Sequence, residues 1–99
     1  MAKAGFGDMV KAVVDLSRGI MAIGSDLHSD EEAALLDDGS RQQDLWGINL
    51  YPEAPTAEWI EFDSMINVRP GVNNRSRDVE DEGTRAAIRG VVHSLVADE

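Results

Sequence analysis

The apolar and polar residues of the chain follow two periods, one typical of strands and one typical of helices. The valine-rich residues 9 to 16 predict a first strand, and residues 20 to 24 predict a second. Between them lie residues 17 to 19, and their last member, Gly19, can take the left-handed conformation that a three-residue hairpin loop commonly requires. We therefore predict an antiparallel hairpin at the start of the chain.

A capping-box pattern marks the beginning of the next predicted element. Ser29 is followed three residues later by Glu32, and good helix formers continue to Leu36. Gly39 supplies a typical helix stop. These signals predict a short helix over residues 30 to 38.

A stripe of residues at helical spacing predicts a second helix near the end of the chain. Asp81 is the predicted N-cap of this helix. Gly90 costs about 1 kcal/mol in a helix interior relative to alanine, so its presence suggests close packing against the sheet. The stripe consists of Thr84, Ile88, Val91, Val92 and Leu95.

Two further segments alternate with a period of two residues and predict strands over residues 44 to 51 and 59 to 69. A hairpin between them would pair Asn49 with Glu61, and it would bring residues 47 and 63 together. The predicted order is therefore β-β-α-β-β-α. Such an order predicts an α+β domain with an antiparallel sheet of about four strands and both helices on one face.

Length and composition narrow the class of protein. With 99 residues the chain is long enough for one core, so we predict a single domain over residues 1 to 99. The 19 acidic and 9 basic residues give a net charge of −10, which argues against nucleic acid as a partner. The absence of cysteine excludes disulfides and thiolate chemistry. The apolar runs are short and the start of the chain does not resemble a signal peptide, so we expect a cytoplasmic protein without a membrane span.

The arginines of this acidic chain gather in and after the last predicted strand, within residues 59 to 77. Guanidinium groups offer rigid forks to carboxylate or phosphate, and asparagine amides add further donors. The competing interpretation is that Glu61 and Asp63 pair with the arginines and pin the loop onto the sheet. The predicted ligand-binding residues are Asn49, Trp59, Asn67, Arg69, Asn74, Arg75 and Arg77.

Two carboxylates and one histidine are the candidate catalytic groups. Glu61 and Asp63 lie two residues apart on a predicted strand, and a metal-dependent hydrolase or phosphoryl-transfer enzyme needs such a pair. His28 has acidic neighbours and is a candidate general base, although a surface or structural role also fits it and His93. The chain has no zinc-ligand spacing, no P-loop and no GxGxxG motif, so we predict neither a metal site nor a cofactor.

Four segments carry a family resemblance: FGDMVKAVVD at 6 to 15, GIMAIG at 19 to 24, LWGINLYP at 45 to 52, and WIEFDSMINVRP with NNRSR from 59 to 77. In them the chain resembles a small prokaryotic family of domains of unknown function. The resemblance implies a genuine domain and assigns it no activity, substrate or cofactor. It also implies a further strand and helix before the FGDMV segment, where this chain has only five residues. A missing strand would leave an open sheet edge and favour pairing with a second copy.

These patterns together predict a non-enzymatic domain that binds a small anionic ligand or a protein partner through residues 59 to 77. Self-association as a homodimer is part of the same prediction. The alternative is a small metal-dependent hydrolase or phosphoryl-transfer enzyme that uses Glu61 and Asp63, with His28 as its base.

Overall fold

The computed structural model describes residues 9 to 55 and 58 to 96. Its sheet is antiparallel and has four strands in the spatial order β2-β1-β3-β4. The α+β class and the order β-β-α-β-β-α are confirmed. None of the helices in the described ranges is long and apolar enough to cross a membrane. The elements are β1 (Val10–Asp15), β2 (Ile20–Ile23), α1 (His28–Asp37), β3 (Leu45–Leu50), β4 (Ile60–Glu61) and α2 (Glu82–Val96).

The hairpin between β1 and β2 is confirmed, and side-chain bonds to its turn hold it. Gly19 has a φ of 66° and so takes the left-handed conformation that the turn requires. The buried carboxylate of Asp15 accepts the backbone N–H groups of Ser17 and Arg18 at 2.9 and 3.0 Å. The same carboxylate accepts the hydroxyl of Ser40 at 2.5 Å, which ties this turn to the loop after α1.

The two helices lie on opposite faces of the sheet, so the prediction that both cover one face is wrong. Successive side chains of a strand point to opposite faces. Val13 packs with Leu35 of α1, whereas Val14 belongs to the cluster that contains Ile88 and Val92 of α2. The reason lies in β1, where the consecutive apolar residues Ala12, Val13 and Val14 are all buried, as is typical of a strand with both faces covered.

The core therefore has two parts, one on each side of the sheet. The larger part, on the α2 side, includes Ala12, Val14, Trp46, Ile48, Leu50, Val79, Ile88 and Val92. The smaller part, on the α1 side, is formed by Val13, Leu35 and Leu45. This division confirms the alternation that the sequence predicts along β3.

Helix α1 begins at His28 without a side-chain cap, so the predicted capping box at Ser29 does not form. Instead, the carboxylate of Glu31 reaches back to accept the N–H of Ser25 at 3.1 Å. The predicted stop is confirmed, because Gly39 follows the helix with a φ of 104°.

Helix α2 begins as the sequence predicts. The carboxylate of Asp81 accepts the N–H of Thr84 at 2.8 Å and its hydroxyl at 3.0 Å, which are the bonds of an N-cap. Gly90, in contrast, is exposed, and a Cβ added there would meet no atom within 4 Å. The prediction that Gly90 packs closely against the sheet is therefore wrong.

Replacing Gly90 by alanine should stabilise the protein. Alanine is favoured over glycine by about 1 kcal/mol in a helix interior, and nothing at this site opposes the added methyl group. In thermal unfolding we expect the midpoint to rise by about 4 to 8 °C. The control is Gly19→Ala, which meets equally open space but has a positive φ and should lower the midpoint. An unchanged midpoint in Gly90→Ala would contradict this account of α2.

The predicted strand over residues 59 to 69 is much shorter in the structure, because β4 ends at Glu61. The predicted pairing of Asn49 with Glu61 is confirmed. Residues 47 and 63 do not pair in the sheet, and Gly47 instead bonds the side chain of Asn67. The side chain of Asn67 accepts the N–H of Gly47 at 2.8 Å and donates to its carbonyl at 3.0 Å. An amide side chain thus takes the place of a strand backbone at this edge.

We call residues 64 to 69 the edge segment, since they cover the edge of β3 beyond β4. Arg69 bonds three backbone carbonyls there, those of Gln42, Leu45 and Ile66. The segment also lies against Gly47, where an added Cβ would be 2.5 Å from the hydroxyl oxygen of Ser64. Only glycine leaves room for so close an approach.

Candidate functional site

Three of the predicted ligand-binding side chains bond to the protein's own backbone. The amide nitrogen of Asn67 donates to the carbonyls of Gly47 and Arg77, both at 3.0 Å. Asn74 is buried too; it donates to the carbonyls of Asn67 and Asp78 at 2.7 Å and accepts the N–H of Glu80 at 2.8 Å. With the carbonyl bonds of Arg69 described above, these side chains hold the loop in shape.

A fourth predicted ligand-binding residue, Trp59, lies on the α2 side of the sheet. Its ring stacks on that of His93 with 5.4 Å between centroids, and its Nε1 donates to the carbonyl of Ala54 at 2.7 Å. Together with Leu50 and Val92 it lines a hollow of about 10 Å³, roughly the space of one water molecule. Trp59 is thus apart from the arginine-rich loop.

The two candidate carboxylates have different partners. Glu61 accepts the amide of Asn49 at 2.9 Å and the hydroxyl of Tyr51 at 3.0 Å. Asp63 forms an ion pair with Arg77 at 2.5 Å. The pinning interpretation therefore holds for Asp63 and Arg77, while Glu61 binds neutral groups. The side chain of Arg75 is exposed. Its backbone N–H donates a hydrogen bond to the carboxylate of Glu80 at 3.0 Å.

A cavity of about 290 Å³ lies between the start of α1 and the edge segment, and we call it the α1 cavity. Lys11, His28 and Arg77 give its lining a basic character, and none of its lining residues is acidic. Ser29 and Ser64 add hydroxyl groups. The remaining side chains of its wall are the apolar Leu27, Met65 and Ile66.

His28 is held in one tautomer by the sheet. Its Nε2 lies 2.7 Å from the carbonyl oxygen of Ile48, which can only accept, so this nitrogen carries the proton and Nδ1 is the acceptor. Burial lowers the pKa of His28, the bond to Ile48 raises it, and the charges of Lys11 and Arg77 lower it while that of Asp63 raises it. The imidazole is therefore neutral at neutral pH.

Two residues that interact with Lys11 each have a buried side-chain oxygen atom without a partner among residues 9 to 55 and 58 to 96. Asn49 pairs with Lys11 across β1 and β3, and the side-chain oxygen of Asn49 has no hydrogen-bond donor there. The Oε1 atom of Glu31 is likewise without one. Burial raises the pKa of Glu31 to about 7, although the N–H of Ser25 and the charge of Lys11 act to lower it. Lys11 itself makes no hydrogen bond or ion pair within the described ranges.

Sequence reasoning missed both Lys11 and Glu31. Lys11 does carry a signal, since it is the one basic residue within the apolar run of β1. Glu31 carries none, because the side of α1 that meets the sheet becomes known only once the helix has been placed. Lys11 lines the α1 cavity, and its charge acts on Glu31.

The structure brings His28 and Arg77 to one cavity and sets Asp63 beside it through its ion pair. In the described part of the chain, no three side chains of His, Cys, Asp or Glu come together in a way that would hold a metal ion. Catalysis by Glu61, Asp63 or His28 stays a prediction.

A four-stranded antiparallel sheet with one helix on each face and a basic cavity beside α1 defines a small α+β domain. The chain belongs to a family described as protein of unknown function (DUF5674), whose model matches residues 1–95. This confirms the resemblance seen in the sequence. No curated protein and no solved structure matches the chain significantly.

Proposed function

We propose that the protein binds a small anionic ligand in the α1 cavity. The observation that carries the proposal is the sign of the charge in the lining. The whole chain has a net charge of −10, yet this cavity is lined by Lys11, His28 and Arg77 and by no carboxylate. Since His28 is neutral and Arg77 is paired with Asp63, the charge of Lys11 is the local reversal of sign that attracts an anion to this part of the surface.

Other cavities of the described chain differ in this respect. One of about 380 Å³ includes Glu80 and Asp81 in its lining. Another of about 320 Å³, which Lys11 also lines, includes Asp26. An anion entering either of them would meet a like charge, so the α1 cavity is the favoured site.

The groups of the α1 cavity can also satisfy an anion directly. The ammonium group of Lys11 is free of partners among the described residues, and the hydroxyl of Ser29 is exposed at the start of α1. Hydrogen bonds from charged donors to anions are about twice as strong as bonds between neutral groups. Of the residues that the sequence predicts for ligand binding, Arg77 is the one that lines this cavity.

Replacing Lys11 by glutamine tests the proposal. With inorganic phosphate and acetate as probes, backbone amide shifts in NMR titrations should report binding near His28 and Ser29. We expect Lys11→Gln to bind about tenfold more weakly, because a charge-assisted hydrogen bond contributes about 1.5 kcal/mol.

The matched control is Arg75→Gln, which removes the same charge from an exposed residue outside the cavity. It should bind both probes like the native protein. Equal affinities of the two variants would contradict the proposed site. Thermal unfolding of both variants separates lost binding from lost folding.

A further inference from the structure

We infer that the ligand of the α1 cavity is a monocarboxylate with an apolar body, an inference that rests on the proposed anion-binding function. Two independent properties of the lining lead to it. One is the number of positive charges that lack a partner, and the other is the apolar surface beside them.

One cation of the lining has no ion pair among the described residues, and Glu31, the carboxylate on which its charge acts, is kept partly protonated at neutral pH by burial. Arg77 is paired with the carboxylate of Asp63 at 2.5 Å. His28 donates its Nε2 proton to the carbonyl of Ile48 and is held neutral by burial. Lys11 remains, with no ion pair among the described residues. A monoanion would balance this charge, whereas a phosphate dianion would leave one negative charge in a partly enclosed site.

Apolar side chains flank the same cavity and are unusually open to solvent. Met65 has 65% and Leu27 has 55% of its surface exposed, and both belong to the lining with Ile66. Ligand sites commonly combine an apolar wall with a few polar groups that fix orientation. A ligand whose carboxylate meets Lys11 and whose body covers Met65 would satisfy both parts of the lining.

The size of the cavity sets the size of the body. A volume of about 290 Å³ corresponds to about ten water molecules. Short aliphatic acids and a single aromatic ring fit this space. Acetate would fill only a small part of it.

The experiment is an NMR titration with acetate, butyrate and hexanoate, followed by benzoate and phenyl phosphate. Burying one methylene group is worth up to about fourfold in affinity. We expect hexanoate to bind about tenfold or more tightly than acetate. Benzoate should bind more tightly than phenyl phosphate, since the two share a ring and differ in charge.

The variant Met65→Ser tests the apolar wall, and it should reduce the ratio of hexanoate to acetate affinity by about threefold or more. Its control is Leu95→Ser, an exposed apolar residue of α2 outside this lining, which should leave the ratio unchanged.

The possible outcomes distinguish a failure of the monocarboxylate inference from a failure of the anion site itself. If acetate and phosphate bind at the cavity but hexanoate gains nothing, the carboxylate inference is overturned and the anion site stands. Tighter binding of phenyl phosphate than of benzoate also overturns the inference. If none of the probes shifts the amides of His28 and Ser29, the anion site itself is wrong and the inference falls with it.

Discussion

Replacing Asn67 by alanine is expected to lower the free energy of unfolding by about 3 kcal/mol or more. The side chain of Asn67 is fully buried and bonds both backbone groups of Gly47 and the carbonyl of Arg77. Alanine would leave the N–H and the carbonyl of the buried Gly47 without these partners, whereas the carbonyl of Arg77 keeps its bond from the N–H of Ser64 at 3.0 Å. A buried polar group without a partner costs about 1 to 3 kcal/mol, so the loss exceeds that of an average single substitution.

Urea denaturation followed by circular dichroism measures this loss. Gln43→Ala removes an amide from an exposed position and should change the free energy of unfolding by less than about 0.5 kcal/mol. Asn67→Asp keeps an acceptor for the N–H of Gly47 but cannot donate to the two carbonyls, so it should also be strongly destabilised at neutral pH. A loss below about 1 kcal/mol in Asn67→Ala would mean that the edge segment does not depend on this side chain.

Glu31 is expected to make the native protein less stable as pH rises from about 4.5 to about 7. Burial raises its pKa in the folded state to about 7, whereas 4.5 is the ordinary value of a glutamic acid and that of the unfolded chain. Between these values the folded state binds more protons than the unfolded state, so stability falls with increasing pH. The contribution is complete below about pH 4.5 and is lost through about pH 7. Since one pKa unit corresponds to about 1.4 kcal/mol, the loss amounts to about 3 kcal/mol.

Glu31→Gln separates this effect from those of the other carboxylates. Glutamine resembles the protonated acid, so the variant should match the native protein at about pH 4 and exceed its stability by about 2 to 3 kcal/mol at about pH 8. The charges that act on Glu31 are those of Lys11 on β1 and Asp30 on its own helix, and both remain in the variant. Glu32→Gln removes the same charge one position along α1 and serves as the control. A constant difference between Glu31→Gln and native protein over this pH range would contradict the account.

Local patterns were sufficient to predict the element order and the pairing of Asn49 with Glu61. The same patterns gave a wrong prediction where side chains, and not the backbone of a neighbouring strand, form the hydrogen bonds to β3. The sequence after Glu61 continues to alternate like a strand, but Asn67 and Arg69 bond the edge of β3 with their side chains instead. Such bonds join residues about twenty positions apart, and no local period records them.

The position of the helices was missed for a related reason. The apolar run of β1 fits a strand with both faces covered, but the run itself does not say which helix covers which face. The same limit applies to the site, because Lys11 and Glu31 meet only after α1 has packed on the sheet. Self-association as a homodimer, the cytoplasmic location and catalysis by Glu61 and Asp63 stay predictions.

The bond between Asn67 and Gly47 has a consequence for the dynamics of β3. The N–H of Gly47 is protected from solvent by a side chain of the edge segment, whereas the alternate amides of β3, which point the other way, are protected by the ladder with β1. Hydrogen exchange at Gly47 therefore requires only that the edge segment lifts away, while exchange within the ladder requires the sheet to separate. The exchange rate of the Gly47 amide thus measures the opening of the edge segment beside the α1 cavity, and not the opening of the sheet to which Gly47 belongs.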